Sequence, residues 1–183
     1  RGIDVSPLCV EYCRSKHLTC EIGSMSRLDM PSGSFDLVTL FDVLYQADPA
    51  ENAAILAGIA DILAPGGILA FREPAMPIAA GAHDRAVGSR QRFTSSGVAS
   101  LLARTGFEPR RITYLNTLLF PPTVLARRLE NVRRPDNVAS DVRPTPRLLN
   151  AALLGVFRLE KRLLQLTDLP FGVSLLVVAQ KAS

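Results

Sequence analysis

Residues 34–44 (SFDLVTLFDVL), followed after one helix-length by 63–71 (LAPGGILAF), constrain this chain more than any other feature. Phe35–Leu40 is a short apolar run that gives way to the acidic Asp42. A helix-compatible stretch comes next, and Pro65-Gly66-Gly67 delivers the chain into a second apolar run. A strand, a helix and a second strand in this order form one unit of a parallel α/β sheet, with a ligand crevice expected at the carboxyl end of the first strand.

The flanking segments extend the same alternation. Gly2-Ile3-Asp4 reads as the tail of a buried strand. Ser6-Pro7 reads as a helix cap and first helical position, for a helix running to about Lys16. His17–Ile22 is a second short strand ended by Gly23, and 24–34 is a polar loop. Asp48 caps the next helix, in which Ile55, Leu56, Ile59, Ile62 and Leu63 recur at helical spacing until Pro65-Gly66-Gly67 stops it. Residues 74–92 read as an irregular lid or binding loop. Thr94 or Ser95 caps a helix ending at Gly106, and Phe107–Leu115 is a strand. Residues 116–146 carry Pro121, Pro122, Pro135, Pro144 and Pro146, with arginine pairs at 127–128 and 133–134. Arg147–Leu166 is a long amphipathic helix and 172–180 a final strand. Alternating strands and helices predict a parallel sheet covered on both faces.

At 183 residues the chain fits one domain with a sizeable core. No apolar run approaches the ~20 residues of a membrane span. The absence of Trp and the low aromatic content argue against a nucleic-acid stacking platform. Cys9, Cys13 and Cys20 fit free thiols in a reducing, cytoplasmic setting. A metal site would need more ligands than these and the separated His17 and His83 supply. Charge is uneven. Residues 1–126 hold 11 Lys/Arg against 12 Asp/Glu, whereas 127–162 hold 9 against 4. The basic character therefore belongs to a C-terminal insert.

Several residues stand where chemistry is expected. Asp4, between a strand and a capped helix, can accept hydrogen bonds from two vicinal ribose hydroxyls; it can equally serve as a helix N-terminal charge. Ser24 and Met25 follow the second strand, where an adenine pocket or an ordinary turn can form. Phe41 can line a pocket after the central strand, and Asp42 can line it or cap the turn 43–46. Glu73, His83, Asp84 and Arg92 gather near the long loop as candidate substrate contacts, with His83 the candidate general base.

Taken in order, Gly2–Pro7 (GIDVSP), Leu28–Asp36 (LDMPSGSFD), Asp42–Leu44 (DVL), Leu63–Gly67 (LAPGG), Arg92–Thr94 (RFT) and Ala103–Phe107 (ARTGF) resemble the class I S-adenosylmethionine-dependent methyltransferases. The resemblance covers residues 1–115, with weaker likeness at 174–181. It implies a Rossmann-like, mostly parallel sheet flanked by helices, lacking the first strand, with an α-helical insert before the last strand. It makes 1–183 a single domain: a cofactor core at 1–115, a helical basic cover at 116–168 and a final strand at 169–183. The implied cofactor is S-adenosylmethionine, held by Asp4, Val5, Ser24, Met25, Phe41 and Asp42, with Tyr45, Glu73 and Arg92 as substrate contacts. Ser24 stands where the family usually has an Asp, and Gln46 where many relatives carry His.

The family also places a strand and a glycine-rich turn before the segment that opens this chain. The 183 residues are accordingly expected to be an N-terminally incomplete copy that binds cofactor poorly. About five missing buried side chains at ~1.5–3 kcal/mol each forfeit roughly 10 kcal/mol, against a total domain stability of ~5–15 kcal/mol. The expected acceptor is small or lipid-like, and helix 147–166 is a candidate for peripheral contact with an anionic membrane surface. Two alternatives remain open at this point. One is a nicotinamide-dependent oxidoreductase, for which a Tyr/Lys proton relay is missing. The other is a non-catalytic, methyltransferase-like subunit that binds a partner.

Overall fold

A computed structural model describes residues 1–133 and 145–182. Pro135 and Pro144 lie outside the described residues. In chain order the elements are β1 (Gly2–Asp4), α1 (Pro7–Ser15), β2 (Cys20–Ile22), β3 (Phe35–Phe41), α2 (Asn52–Ile62), β4 (Leu63–Pro74), α3 (Ala82–Ala86), α4 (Ser95–Arg104), β5 (Phe107–Leu115), α5 (Phe120–Arg133), α6 (Arg147–Leu166) and β6 (Ser174–Lys181). Single 3-10 turns at Leu44–Gln46, Pro49–Glu51 and Pro77–Ala79 complete the path.

The strands form two sheets. β1 and β2 pair in parallel as a two-stranded sheet, and the other four lie in the order β3-β4-β6-β5. β3 and β4 are parallel, while β6 runs antiparallel to both β4 and β5. Three of the four strands in the larger sheet thus point the same way, and the last strand of the chain is reversed between two of them. The expected mostly parallel α/β arrangement is present. Two features lay beyond local reading: the reversal of β6, and the split of β1–β2 from β3. Each depends on a pairing between segments far apart in sequence.

Local signals explain most boundaries. The Ser6 side chain accepts the Cys9 N–H and Pro7 occupies the first turn of α1. Thr94 accepts the Gly97 N–H to start α4. The second helix ends earlier than its apolar spacing suggests. Leu63 is already extended, with ψ 137°. Lys181 Nζ donates to the Leu63 carbonyl at 2.7 Å and Gln180 Nε2 to the Gly66 carbonyl at 2.8 Å, so contacts from β6 hold 63–66 in the strand. Gly66 adopts φ +73° there, a value that favours glycine. Residues 82–86 are helical where irregular chain was expected, and 120–133 form a helix within the segment expected to be a helical, basic cover. In α5 both prolines fall in the first turn, where the missing N–H groups would have no intrahelical partner anyway. Gly172 permits a close backbone crossing, since a Cβ there would lie 2.2 Å from the Leu115 carbonyl oxygen.

The core is built from β4 and β6 with α2 and α4 against them. Leu69, Phe71, Leu175, Val177 and Ala179 alternate inward with no solvent exposure, and Ile55, Leu56, Ile59, Val98 and Leu102 close over them. The N-terminal β1–α1–β2 unit contributes no fully or partly buried member to that cluster. Its own buried residues are Val10 and Cys20.

Candidate functional site

A cavity of about 570 Å³ separates β1 from β3, within the size range of small-ligand sites. Its floor reaches Ile59 and Ile62 of α2, and its rim carries Asp4, Val5, the turn Gly23–Met25, and Phe41–Val43 with Gln46. All six residues expected to hold the cofactor therefore border one space. They sit at or just beyond the carboxyl ends of three strands, β1, β2 and β3.

Asp4 is fixed by its own backbone turn. Its Oδ1 accepts the Ser6 N–H at 2.8 Å, and its carbonyl accepts the Gly23 N–H at 3.1 Å. Oδ2 has no protein donor among the described residues, so the carboxylate keeps an acceptor open at the cavity rim. Ser24 is partly spent on structure, its Oγ accepting the Ser26 N–H at 3.2 Å. Asp42 sits at φ +55°; its N–H donates to the Arg72 carbonyl at 2.9 Å and its carboxylate pairs with the Arg72 guanidinium. Asp42 thus combines a place on the rim with a structural ion pair. Phe41 is 56% exposed and Leu37, also on the cavity wall, 55%. These edge positions hold apolar surface ready for a ligand.

The expected substrate contacts behave differently. Glu73 is wholly buried. Its carboxylate accepts the N–H groups of Val43, Leu44 and Tyr45 at 3.2, 2.9 and 3.1 Å, and so builds the turn that carries the cavity rim. Burial pushes its pKa up to about 6, against the opposing pull of those N–H groups and of Arg72. Tyr45 is buried, with its hydroxyl accepting from Gln46 Nε2 at 3.1 Å. Arg92 is turned inward, its side chain only 6% exposed. Nε and Nη2 grip the two Asp84 oxygens at 2.7 and 3.0 Å, and Nη1 donates to the Ala75 carbonyl at 2.8 Å. Burial would raise the Asp84 pKa, yet Arg92, the Gly81 N–H and Arg127 together hold it below the usual carboxylate value. Asp84, Arg92 and Arg127 thus clamp the segment after β4, which is an ordered cover. None of Tyr45, Glu73, His83 and Arg92 lines this cavity. His83 lies on α3, and its Nδ1 is buried without a partner among the described residues.

Sequence reasoning missed the cavity floor. Leu28, Met30 and Phe35 join Ile59 and Ile62 there. Helical spacing marked Ile59 and Ile62 as apolar without saying that they face a hollow. A second cavity of about 470 Å³ lies between α5 and α6, with Asn116, Arg127 and Glu130 as polar lining and Leu119, Phe157 and Val173 as apolar lining. Val173 directly precedes β6, whose first residue pairs with the carboxyl ends of β4 and β5. The second cavity therefore stands at the same sheet edge as the ends of those strands.

Residues 1–67 match the family described as methyltransferase domain. None of the curated proteins matches the chain. Several solved structures share the fold. A putative methyltransferase of Haloferax volcanii, solved in complex with a methyltransferase activator, is 17% identical with a TM-score of 0.62, covering 100% of this chain and 71% of its own. An S-adenosylmethionine-dependent methyltransferase of Mesorhizobium loti is 19% identical with a TM-score of 0.58, covering 98% and 79%. A possible histamine N-methyltransferase of Thermotoga maritima is 14% identical with a TM-score of 0.60, covering 98% and 72%. The resemblance read from the sequence agrees with the family match over residues 1–67 and with the fold of these structures.

Proposed function

We infer S-adenosylmethionine-dependent methyl transfer to a small or lipid-like acceptor, from the match of residues 1–67 to the methyltransferase-domain family and from the fold shared with solved methyltransferases. The observation that carries this reading is the Asp4 carboxylate, with one oxygen pinned by Ser6 and the other open at a cavity large enough for a nucleoside. That open oxygen fits a ribose hydroxyl, the Gly23–Met25 turn fits a flat base, and the apolar Phe41 closes the rim.

When bound, the cofactor supplies an electrophilic methyl group on a sulfonium. The protein's task is then to orient an acceptor and exclude water rather than to activate a leaving group. Asp4 anchors the sugar. Glu73 acts at one remove, by fixing the backbone of 43–45 and so the position of Phe41–Val43. The Asp84–Arg92 pair holds the cover over the sheet edge. The cavity between α5 and α6 offers a place for an acceptor with an apolar body and a polar end, facing Arg127, Glu130 and Asn116.

Ligand-detected NMR titration tests the cofactor assignment. The expected result is saturable binding of S-adenosylmethionine, displaced by S-adenosylhomocysteine and indifferent to NADH. The affinity should be weaker than micromolar, because Leu37 and Phe41 leave the β3 wall half open to water. Displacement by NADH would favour the oxidoreductase. A protein-binding role is the second reading, favoured by the open edge of β3 and by the activator complex of the Haloferax relative. Substituting Asp4 separates the two, since methyl transfer depends on its carboxylate and pairing of a partner with the backbone edge of β3 does not.

A further inference from the structure

The C-terminal helices leave apolar surface that the core does not cover. α6 spans 20 residues, and Glu160 is the single buried one. Its carboxylate turns inward to accept the N–H groups of Asn116 and Leu118, at 2.5 and 3.3 Å. Leu163 and Leu164 pack partly against the core. Leu148, Leu159 and Leu166 do the opposite, at 89%, 52% and 84% exposed. Their separations of eleven and seven residues align them in one row along the helix. Arg147, Arg158 and Arg162 are exposed, and helical spacing places them on one flank of that row. None of the three forms an ion pair among the described residues. α5 repeats the pattern on a smaller scale: Leu125, Leu129 and Val132, spaced by four and three residues, are 61%, 47% and 82% exposed beside the exposed Arg128.

Charge decides the occupant. A second copy of this chain laid face to face along α6 would bring the arginine rows together at a repulsive cost, because the one carboxylate of α6, Glu160, is buried. An anionic lipid surface satisfies both features at once. The leucines enter the acyl boundary while the guanidinium groups meet headgroup phosphates. No helix among the described residues is long and apolar enough to cross a bilayer, so contact through them is from one side.

We propose that α6, with the outer row of α5, docks this protein peripherally on an anionic membrane surface. The proposal stands apart from the methyl-transfer reading, since it rests on no residue of the cofactor cavity.

Sedimentation of the full chain with vesicles tests it, comparing phosphatidylcholine alone with phosphatidylcholine containing one-third phosphatidylserine at low salt. Partition onto the anionic vesicles should be tighter by at least about tenfold. Arg147→Glu/Arg158→Glu/Arg162→Glu should weaken it about a hundredfold. Leu148→Ser/Leu159→Ser/Leu166→Ser should weaken it by a similar factor while leaving the circular dichroism spectrum unchanged. If the triple leucine variant fails to fold, Leu148→Ser, at the most exposed position, should still weaken partition about tenfold. Equal partition onto both vesicles, no sedimentation on either, or partition unchanged by the leucine substitutions would overturn the proposal. So would a dimer in sedimentation velocity that the leucine substitutions dissolve.

Discussion

The four-stranded sheet and the β1–α1–β2 unit divide the labour of this molecule. The first holds a continuous interior in which Phe71, Leu69, Leu175 and Val177 have no solvent exposure. The second buries little, leaving Val5, Leu8, Tyr12 and Ile22 more than 60% exposed, yet it carries Asp4 and the Gly23–Met25 turn. Stability is thus concentrated on one side of the cavity and the proposed recognition groups on the other. The binding groups can move with little cost to the fold, as expected of low-stability elements near ligand sites.

The largest expected effect separates the two sides directly. Phe71→Ala should cost about 3–5 kcal/mol in chemical denaturation. Val10→Ala, in the N-terminal unit, should cost roughly 1–2 kcal/mol. Equal costs would break the comparison. Native-state hydrogen exchange should likewise release the amides of β1 and β2 well before those of β4 and β6.

Next comes Glu73, which links the stable side to the rim. Glu73→Gln keeps one acceptor oxygen and sets an amide NH₂ against backbone donors, so it should cost about 1–3 kcal/mol at neutral pH. Its pH signature has a definite sign. Burial raises the folded-state pKa from 4.5 to about 6, so the native state binds the proton more tightly than the unfolded chain. Stability should therefore fall by roughly 2 kcal/mol as pH rises between those values, and level off above. The Gln variant should lose that slope.

Asp84 gives the opposite sign in a lower window. Its folded pKa lies below 3.8, so the stability from its pairing with Arg92 is present above that pH and lost as pH falls further. Arg92→Met should destabilise the chain and shift that acid limb upward, because Asp84 would then be buried without its main partner. The smallest effect on stability is expected at His83. His83→Asn should change the unfolding midpoint little and leave S-adenosylmethionine binding intact, since His83 does not line the cavity proposed to hold it.

Which features the sequence revealed depended on how local they were. The Ser6-Pro7 and Thr94 caps, the apolar run of β3 and the Leu163–Leu164 side of α6 rest on neighbours in sequence and were readable. So was the place of Asp4 at a strand end before a capped helix, because that is itself a local pattern. Glu73 was noticed as a carboxylate at a strand end, yet its three backbone partners lie 28 to 30 residues earlier, and no spacing rule reaches that far. Arg92 and Asp84 were seen to cluster, but their inward direction depends on Ala75 and Arg127 packing around them. α5 was hidden by Pro121-Pro122, which break a helix in its middle and are harmless in its first turn.

The central claim is that the Asp4 carboxylate grips the sugar of S-adenosylmethionine. Asp4→Asn tests it most directly, because the carboxamide oxygen can still accept the Ser6 N–H while the amide NH₂ cannot accept from a ribose hydroxyl. Measured by NMR titration on a variant with an unchanged unfolding midpoint, binding should weaken about tenfold or more. An Asn variant that binds S-adenosylmethionine as tightly as the parent chain would contradict the account.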